Sequence, residues 1–488
     1  MTAYFIGLDI GTSSVKAVAF DGAGSVLGKK SIAYPTLCPR PGYQEQVPHS
    51  VFKSAITCLK HLVVAMAGSP ACISLSSAMH SLIAVDKKGN ALTNSILWSD
   101  SRSADIADKL KGTPAGMEIY RHTGTPIHPM SPLCKIAWLR QHQPSVFQKT
   151  FKFIGIKEYL IHQLTGHWLT DYSIASATGL FDAAAFEWFQ PSLDFAGIDL
   201  YQLPQPVPPD FNLGAFRQAF SYLGISPETP FIIGASDGCL ANLGAGASEP
   251  GEAVLTIGTS GALRMNNARP VMDPKERIFN YLLEKDSYVS GGASNNGGVV
   301  YEWFTRQFFG TGPAAKSMVS RQAAVQGLPA GSEGLLFIPY MLGERAPVWN
   351  ARATGGFFGL QKLHTKAHLH KAVLEGIVLN MAIVGEVLEQ VAAPMEVIYA
   401  NGGFTKMPVW VQMAADVFGK KITVTESGDA SAFGAALLGL RSLGIIPDFS
   451  LIKEMAGASQ TYQPDVAKHD VYLEKRQALK EIYGKIYG

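Results

Sequence analysis

Apolar runs separated by turn residues open the chain and predict strands joined by tight turns. The first run ends at Asp9, the second extends from Val15 to Phe20, and a third follows the Asp21-Gly22 turn and continues to Ile32. Short runs of strand-forming residues bounded by glycine, serine and aspartate are typical of such hairpins. The chain is therefore expected to begin as strand, turn, strand, turn and strand.

Helices are expected to alternate with strands over the rest of the chain. Ser50 is placed to cap a helix that ends near Ala67, because the apolar residues after it recur at helical spacing. Residues 117–165 are expected to be mainly helical, and the proline-rich residues 186–230 irregular. The other predicted elements are strands at 72–75, 82–85, 231–234, 335–338 and 396–400, and helices at 102–110, 237–246, 299–309, 365–391, 408–418 and 431–443. This alternation is typical of an α/β protein.

An Ile-Gly-Thr-Ser motif occurs twice, at residues 10–13 and 257–260. Each copy lies between two apolar, strand-prone runs, so a similar hairpin is predicted in each half of the chain. A repeat of this kind indicates two similarly built domains. The sequence is therefore divided into an N-terminal domain, 1–247, and a C-terminal domain, 248–488.

Composition excludes several classes of protein. The 488 residues carry 41 Lys and Arg against 39 Asp and Glu, and no basic tract stands out, so a nucleic-acid partner is not expected. The five scattered cysteines indicate free thiols in a reducing compartment rather than disulfides or a zinc site. The start of the sequence does not resemble a leader peptide, and no apolar stretch is long enough to span a bilayer. A cytoplasmic protein with no membrane partner is therefore expected. A homodimer is left open.

The first hairpin turn carries donors that suit a phosphate group. Gly11 allows a ligand to approach the backbone, Thr12, Ser13 and Ser14 add hydroxyl groups, and Lys16 adds a cation. Asp9, at the end of the preceding strand, suits a hydrated Mg²⁺ ion, which needs few carboxylates. An ordinary hairpin turn is the alternative that this motif alone leaves open.

Two further strand ends carry candidate chemistry. Asp237 follows the strand 231–234, and ligands of open α/β sheets bind beyond the carboxyl ends of strands. Its carboxylate could accept a proton from an alcohol, cap the following helix, or do both. Gly402-Gly403 follows the strand 396–400 and leaves room for an adenosine, although a simple tight turn explains it equally well.

A candidate sugar-binding surface lies between these motifs. Trp98, Asp100 and Arg102 are two residues apart, so in an extended segment they project to one side as an apolar wall with an acceptor and a forked donor. Met79-His80 lies between two predicted strands, where side chains reach a cleft. A solvent-facing strand end and a structural histidine are the competing interpretations.

Two longer stretches carry a family likeness. Met-Ser-Pro-Leu-Cys-Lys-Ile-Ala-Trp-Leu-Arg-Gln-His occupies residues 130–142, and Gly-Gly-Phe-Phe-Gly-Leu opens a second stretch that extends from 355 to 375. Together with Asp9, Asp237-Gly238 and Gly402-Gly403 in the same order, they make the chain resemble the FGGY carbohydrate kinases over nearly its whole length. That family belongs to the actin, hexokinase and Hsp70-like superfamily.

The resemblance implies two RNase H-like domains with a nucleotide cleft between them, and ATP and Mg²⁺ as cofactors. It gives Asp237 the role of general base toward a terminal sugar hydroxyl and places Asp9 at the metal. The residues that it places at ATP are Gly11, Thr12, Ser13, Ser14, Lys16, Gly258, Thr259, Ser260, Gly402 and Gly403. The residues that it places at or near the sugar are Met79, His80, Trp98, Asp100 and Arg102.

The likeness also bears on the substrate. Ser81 stands where xylulose kinases usually have glycine, and Gly238 stands where glycerol and xylulose kinases have an amide residue. Residues 76–82 and 123–130 look most like the gluconate kinases of the family. We therefore expect phosphorylation of D-gluconate to 6-phospho-D-gluconate, with xylulose as the second choice. Candidate receptors for the carboxylate, which needs cationic or N–H donors, are Arg102, His80, His128 and Lys157.

Two readings from other classes compete with a kinase. An actin-like or chaperone-like nucleotide switch would need no sugar-binding wall, so the Trp98, Asp100 and Arg102 set argues against it. A catalytically inactive sugar-binding regulator would not need to retain Asp9 and Asp237. Both alternatives therefore explain fewer of the motifs than a sugar kinase does.

Overall fold

The computed structural model describes residues 3–310, 323, 325–425, 429–456 and 458–487. The chain forms two compact units, each made of separate segments. Unit 1 comprises Met1–Ser248, Asn266–Val289 and Asp429–Ala456, and unit 2 comprises the remaining segments, Glu249–Met265, Ser290–Gly428 and Gly457–Gly488. Unit 1 thus contains segments from both sides of the boundary between residues 247 and 248. The division of the sequence into domains 1–247 and 248–488 stays a prediction.

Unit 1 is built on a five-stranded sheet in the order Phe231–Ser236, Cys72–Ser77, Phe5–Ile10, Ser14–Phe20 and Val26–Ala33. The first three strands are parallel, and the last three form antiparallel hairpins. Short strand pairs are Glu45–Gln46 with Ser95–Ile96, Ile83–Val85 with Lys152–Ile154, Leu169–Asp171 with Gln205–Val207, and Phe181–Asp182 with Glu187–Trp188. Its α-helices are Pro48–Ala65, Ala104–Leu110, Pro114–Thr123, Pro132–His142, Pro144–Lys149, Ile156–Thr165, Tyr172–Ser176, Gln190–Ala196, Asp237–Gly244, Ala430–Ser442 and Ile452–Ala456.

Unit 2 repeats this plan. A hairpin of Glu252–Ile257 with Gly261–Asn267 is followed in the sheet by Val397–Asn401, Ile422–Thr425 and Ala458–Tyr462. Strand Leu336–Ile338 pairs with Gly356–Phe358, and the α-helices are Gly298–Phe309, Lys366–Val391, Pro408–Phe418 and Val466–Tyr487. Strands Phe279–Glu284 and Ser287–Ser294 follow that hairpin in the chain, within the second half of the sequence. The hairpin predicted in each half from the repeated motif is therefore confirmed, and in each unit the first strand of the hairpin also pairs with a parallel strand.

The α/β class and most predicted elements are confirmed, with differences at particular places. The first helix begins at Pro48 rather than after a Ser50 cap, because proline favours the first helical position and Val47 precedes it without a side-chain cap. Strand Lys152–Ile154 and helix Val466–Tyr487 were not predicted. In the described part of the chain, no helix has the combination of length and apolar character that crossing a bilayer requires.

Glycines hold helix Ala430–Ser442 against the sheet and against helix Asp237–Gly244. A Cβ atom on Gly434 would lie 2.1 Å from the Leu240 carbonyl oxygen, and one on Gly244 would lie 2.0 Å from the Ala430 carbonyl oxygen. A Cβ atom on Gly7 would lie 1.9 Å from the Ala432 carbonyl oxygen. The glycines therefore allow the backbones to pack closely, and no larger residue fits at these contacts without moving the backbone.

Gly434→Ala is expected to destabilise the protein by about 1–3 kcal/mol or more, the range typical of overpacking a rigid core. Gly484→Ala is the matched control, because Gly484 also lies within a helix and a Cβ atom there meets nothing within 4 Å. That control should be neutral or stabilising by up to about 1 kcal/mol. Urea midpoints measure both effects, and equal midpoints for the two variants would contradict the packing argument.

Candidate active site

The first of the two predicted phosphate-binding turns, residues 11–14, is fixed by hydrogen bonds with neighbouring groups. The Gly11 N–H donates to the Ser14 carbonyl oxygen at 3.0 Å, and the Tyr34 hydroxyl donates to the Gly11 carbonyl. The indole N–H of Trp98 donates to Thr12 Oγ1 at 2.9 Å. The structure thus brings a predicted phosphate-binding residue and a predicted sugar-binding residue into direct contact within unit 1.

Asp9 lies at the end of its strand, beside that turn. The Ser76 hydroxyl donates to Asp9 Oδ1 at 2.7 Å, and burial raises the pKa of the Asp9 carboxyl. Lys16 Nζ lies 2.8 Å from Asp429 Oδ1. Burial opposes the charge of Lys16, but its hydrogen bond with Asp429 and the negative charges of Asp429 and Asp9 together outweigh this effect and raise the pKa of the lysine. Lys16 therefore pairs with Asp429 at the edge of the turn. The sequence analysis did not identify this acidic partner.

Asp237 is positioned by an irregular strand end. Gly234 has a φ of +65°, and a Cβ atom there would lie 1.7 Å from the Leu75 carbonyl oxygen, so only glycine fits this bulge. Ser236 caps the following helix, since its Oγ accepts from the Cys239 N–H at 3.4 Å. The N-cap role considered for Asp237 is therefore wrong. Asp237 occupies the first helical position, where the helix dipole favours a negative charge.

His80 is held by two hydrogen bonds within unit 1. Its Nδ1 lies 2.7 Å from the Ala177 carbonyl oxygen, and its Nε2 lies 3.0 Å from the Tyr281 hydroxyl. Because a carbonyl oxygen only accepts, Nδ1 carries the proton and Nε2 accepts from Tyr281. His80 is buried with its neighbour Met79 and has a φ of +65°. Tyr281 was missed because no local pattern indicates a partner 201 positions away.

The segment from Trp98 to Arg102 is a turn, so the prediction that its side chains project to one side of an extended segment is wrong. The Asp100 N–H donates to the Leu97 carbonyl oxygen at 3.1 Å and closes that turn. Asp100 Oδ1 then accepts from Arg102 Nε at 2.9 Å, and Arg102 Nη2 lies 2.5 Å from Glu45 Oε1. Both Asp100 and Arg102 are buried by these contacts.

Lys135, within the family-like stretch 130–142, connects the two predicted sugar-binding segments. It is fully buried, and its Nζ donates to the carbonyl oxygens of His80 at 2.6 Å and Leu97 at 2.7 Å. Burial lowers the pKa of Lys135 to about 7. The lysine therefore fixes the backbone at His80 relative to the residue before Trp98.

The other carboxylate-receptor candidates also have protein contacts. Lys157 Nζ lies 2.6 Å from Asp171 Oδ2, and both side chains are buried. His128 Nδ1 accepts from the Met130 N–H at 3.1 Å. With His80 and Arg102 engaged as described above, the structure favours none of the four candidates over the others.

The second Gly-Thr-Ser turn lies in unit 2 and meets the start of helix Gly298–Phe309. The Gly258 carbonyl oxygen accepts from the Gly298 N–H at 2.6 Å, and the Thr259 carbonyl oxygen accepts from the Val299 N–H at 3.0 Å. The Gly258 N–H in turn donates to the Ser260 carbonyl oxygen at 3.0 Å. This turn is therefore tied to the start of a helix.

Gly402 and Gly403 follow strand Val397–Asn401 in the same unit. Gly402 has a φ of +98°, and a Cβ atom there would lie 2.6 Å from the carbonyl oxygen of Ile257, the residue before the second turn. A Cβ atom on Gly403 would meet nothing within 4 Å. Gly402 thus permits a close backbone contact, whereas Gly403 leaves open space.

Comparison with known proteins extends these observations over the whole chain. A family model described as the FGGY family of carbohydrate kinases, N-terminal domain, matches residues 4–244, and the C-terminal domain model of that family matches residues 253–443. The gluconokinase of Bacillus subtilis (strain 168) is 42% identical over 504 aligned residues, which cover 100% of this chain and 98% of the relative.

Solved structures agree with this family and with the predicted sugar-kinase fold. The gluconate kinase of Lactobacillus acidophilus has a TM-score of 0.95 and 34% identity, covering 100% of this chain and 98% of that one. A ligand-bound xylulose kinase from the same organism has a TM-score of 0.95 and 35% identity, covering 99% and 98%. Since family models match both halves and full-length relatives share sequence and fold, the chain belongs to the FGGY family of carbohydrate kinases.

Proposed function

We propose that the protein transfers a phosphoryl group from ATP to the terminal hydroxyl of D-gluconate, giving 6-phospho-D-gluconate. The observation that carries the choice of substrate is the 42% identity with a gluconokinase over the full length of this chain. Ser81 and Gly238, which differ from the residues usual in xylulose and glycerol kinases, support it. FGGY kinases use ATP as the phosphate donor, generally with a divalent metal.

Asp237 is proposed to be the general base. It follows the carboxyl end of strand Phe231–Ser236 and opens helix Asp237–Gly244, whose dipole favours the ionised carboxylate. An ionised carboxylate within hydrogen-bond reach of the sugar hydroxyl accepts its proton as the oxygen attacks the terminal phosphorus. Most of the remaining acceleration in phosphoryl transfer comes from positioning and charge stabilisation.

The two Gly-Thr-Ser turns and Asp9 are proposed to serve the nucleotide. The first turn supplies the hydroxyl groups of Thr12, Ser13 and Ser14, and Lys16 adds its charge. In unit 2, the turn 258–260 and the open space at Gly403 suit the rest of the nucleotide. In the described part of the chain, no three His, Cys, Asp or Glu residues cluster as metal ligands. A single carboxylate such as Asp9 suits Mg²⁺, which would keep most of its water and neutralise phosphate charge when bound.

The sugar is proposed to lie against Trp98 and the segment Met79-His80. Direct contacts of Asp100 and Arg102 with the sugar stay a prediction, because both are buried against protein groups. Their observed contacts fix the turn that carries Trp98. Xylulose phosphorylation is the second candidate function, favoured by the xylulose kinase structure with a TM-score of 0.95.

Asp237→Asn should lower sugar-dependent kcat by about 10²- to 10⁴-fold, the usual cost of losing a general base. Nucleotide binding and the melting temperature should stay near those of the parent protein, since the amide has the same shape as the carboxyl group. Asp470→Asn, an exposed position on helix Val466–Tyr487, is the matched control. ADP release measures the rates, and a near-normal kcat for Asp237→Asn would remove this residue from the mechanism.

Asp9→Asn should raise the melting temperature at pH 7 while lowering turnover by roughly 10²-fold, the size of a lost electrostatic contact in a transition state. Burial raises the pKa of Asp9, so the folded protein takes up a proton more readily than the unfolded chain. The stability penalty is therefore fully present above the folded pKa and fades as pH falls through the folded pKa toward the unfolded value. The difference in melting temperature between Asp9→Asn and the parent protein should therefore become smaller as the pH is lowered.

The control for Asp9 is an aspartate whose pKa shifts in the opposite direction. Hydrogen bonds from Asn90 lower the pKa of the exposed Asp86 carboxyl. Asp86→Asn should therefore give no stabilisation at pH 7, and thermal unfolding between pH 5 and pH 8 measures both variants. An Asp9→Asn variant with normal turnover would exclude Asp9 from the nucleotide site.

Substrate choice is tested by comparing kcat/KM for D-gluconate, D-xylulose and the uncharged polyol D-glucitol. A hydrogen bond to a charged group contributes about 1.5–3 kcal/mol, against about 1 kcal/mol for a neutral one. Gluconate should therefore be preferred to glucitol by roughly 2- to 30-fold, the ratio that a difference of about 0.5–2 kcal/mol gives. Equal or better turnover of either neutral substrate would reject gluconate and leave the family assignment unchanged.

A further inference from the structure

A row of buried polar groups ends at the residue before Asp237. Lys157 Nζ lies 2.6 Å from Asp171 Oδ2, and the Ser173 hydroxyl donates to Asp171 Oδ1. The Ser236 N–H donates to Ser173 Oγ at 2.7 Å. The side chains of Lys157 and Asp171 are 1% and 0% exposed, and Ser173 and Ser236 are fully buried. These contacts connect an ammonium group to the backbone that carries Asp237.

The direction of these hydrogen bonds is forced by chemistry. A backbone N–H can only donate, so Ser173 Oγ must accept from Ser236 and give its own proton to Asp171. Asp171 also caps helix Tyr172–Ser176, accepting from the N–H groups of Ser173 at 2.9 Å and Ile174 at 3.2 Å. Asp171 therefore fixes both the backbone and the hydroxyl of Ser173.

The strand before Asp237 depends on such outside partners. Strand Phe231–Ser236 lies at the edge of its sheet, and its register with Cys72–Ser77 shifts between Ile232 and Ala235. The N–H groups on the outer side of an edge strand must find acceptors elsewhere when they are buried. Ser173 supplies the acceptor at the last residue of this strand, directly before Asp237.

We propose that Lys157, Asp171 and Ser173 form a positioning chain that holds the carboxylate of Asp237 in line with the substrate hydroxyl. The inference rests on the proposed role of Asp237. Without the Ser173 hydroxyl, the buried Ser236 N–H loses its acceptor and the strand end shifts. Misplacement of a reacting group by about 1 Å costs up to roughly 10²-fold in rate, so the effect belongs in kcat rather than in nucleotide binding.

The test is a double-mutant cycle of Ser173→Ala with Asp237→Asn, measured as kcat and as KM for ATP. Ser173→Ala alone should lower kcat by roughly 10- to 100-fold and leave KM for ATP within about twofold. In the Asp237→Asn background the same change should cost little more, because the group that it positions is already lost. Ser192→Ala, a fully buried serine on helix Gln190–Ala196, is the matched control and should keep the parent kcat.

Three outcomes separate the hypotheses. A parent-like kcat for Ser173→Ala, or an equal additional loss in the Asp237→Asn background, would overturn the positioning chain. A near-normal kcat for Asp237→Asn would instead overturn the proposed general base. If Ser173→Ala does not fold, Ser173→Cys replaces it, because cysteine keeps the shape of the serine side chain and fills the buried site, but its larger sulfur accepts hydrogen bonds weakly. The cysteine variant should show the same loss of kcat, and a parent-like value would overturn the proposal.

Discussion

Backbone contact through glycine is the constraint on which the proposed reaction centre of unit 1 depends. Gly7, Gly244 and Gly434 let strand Phe5–Ile10 and helix Asp237–Gly244 meet helix Ala430–Ser442 without side chains between them. The same strand carries Asp9 directly before its last residue, and Asp237 begins the helix that contains Gly244. A side chain at any of these contacts would therefore separate the elements that position both carboxylates.

Buried charged side chains, together with this glycine packing, position the residues of the proposed site. Arg102 lies between Asp100 and Glu45, and Lys157 pairs with Asp171, so each of these two buried cations meets a carboxylate at hydrogen-bond distance. Buried ion pairs contribute little net stability, because desolvation offsets their attraction. Their directional bonds instead fix loop geometry around Trp98 and before Asp237. The polar interior of unit 1 is thus better explained by orientation of the site than by stability.

The local pattern of apolar and polar residues predicted the helices and strands. The features that it did not predict depend on contacts between residues that are distant in the sequence. Helix Pro408–Phe418 was predicted at its observed bounds, because apolar periodicity and an opening proline are both local signals. The turn at Trp98–Arg102 was predicted as extended, since Glu45, 57 positions away from Arg102, helps to hold it. The motifs identified candidate site residues, but the partners that fix them, such as Tyr281 on His80, are joined to them only by the tertiary fold.

The discontinuity of unit 1 has a consequence for synthesis on the ribosome. Helix Ala430–Ser442 is made about 180 residues after Ser248, which at about 5–20 residues per second means a delay of roughly 10 to 40 s. During that interval the backbone at Gly7 and Gly244 has no covering helix, and the nascent chain exposes apolar surface that the finished protein buries. Folding of the amino-terminal half must therefore wait for the carboxyl-terminal part, and chaperones that bind exposed apolar segments have a defined period in which to act.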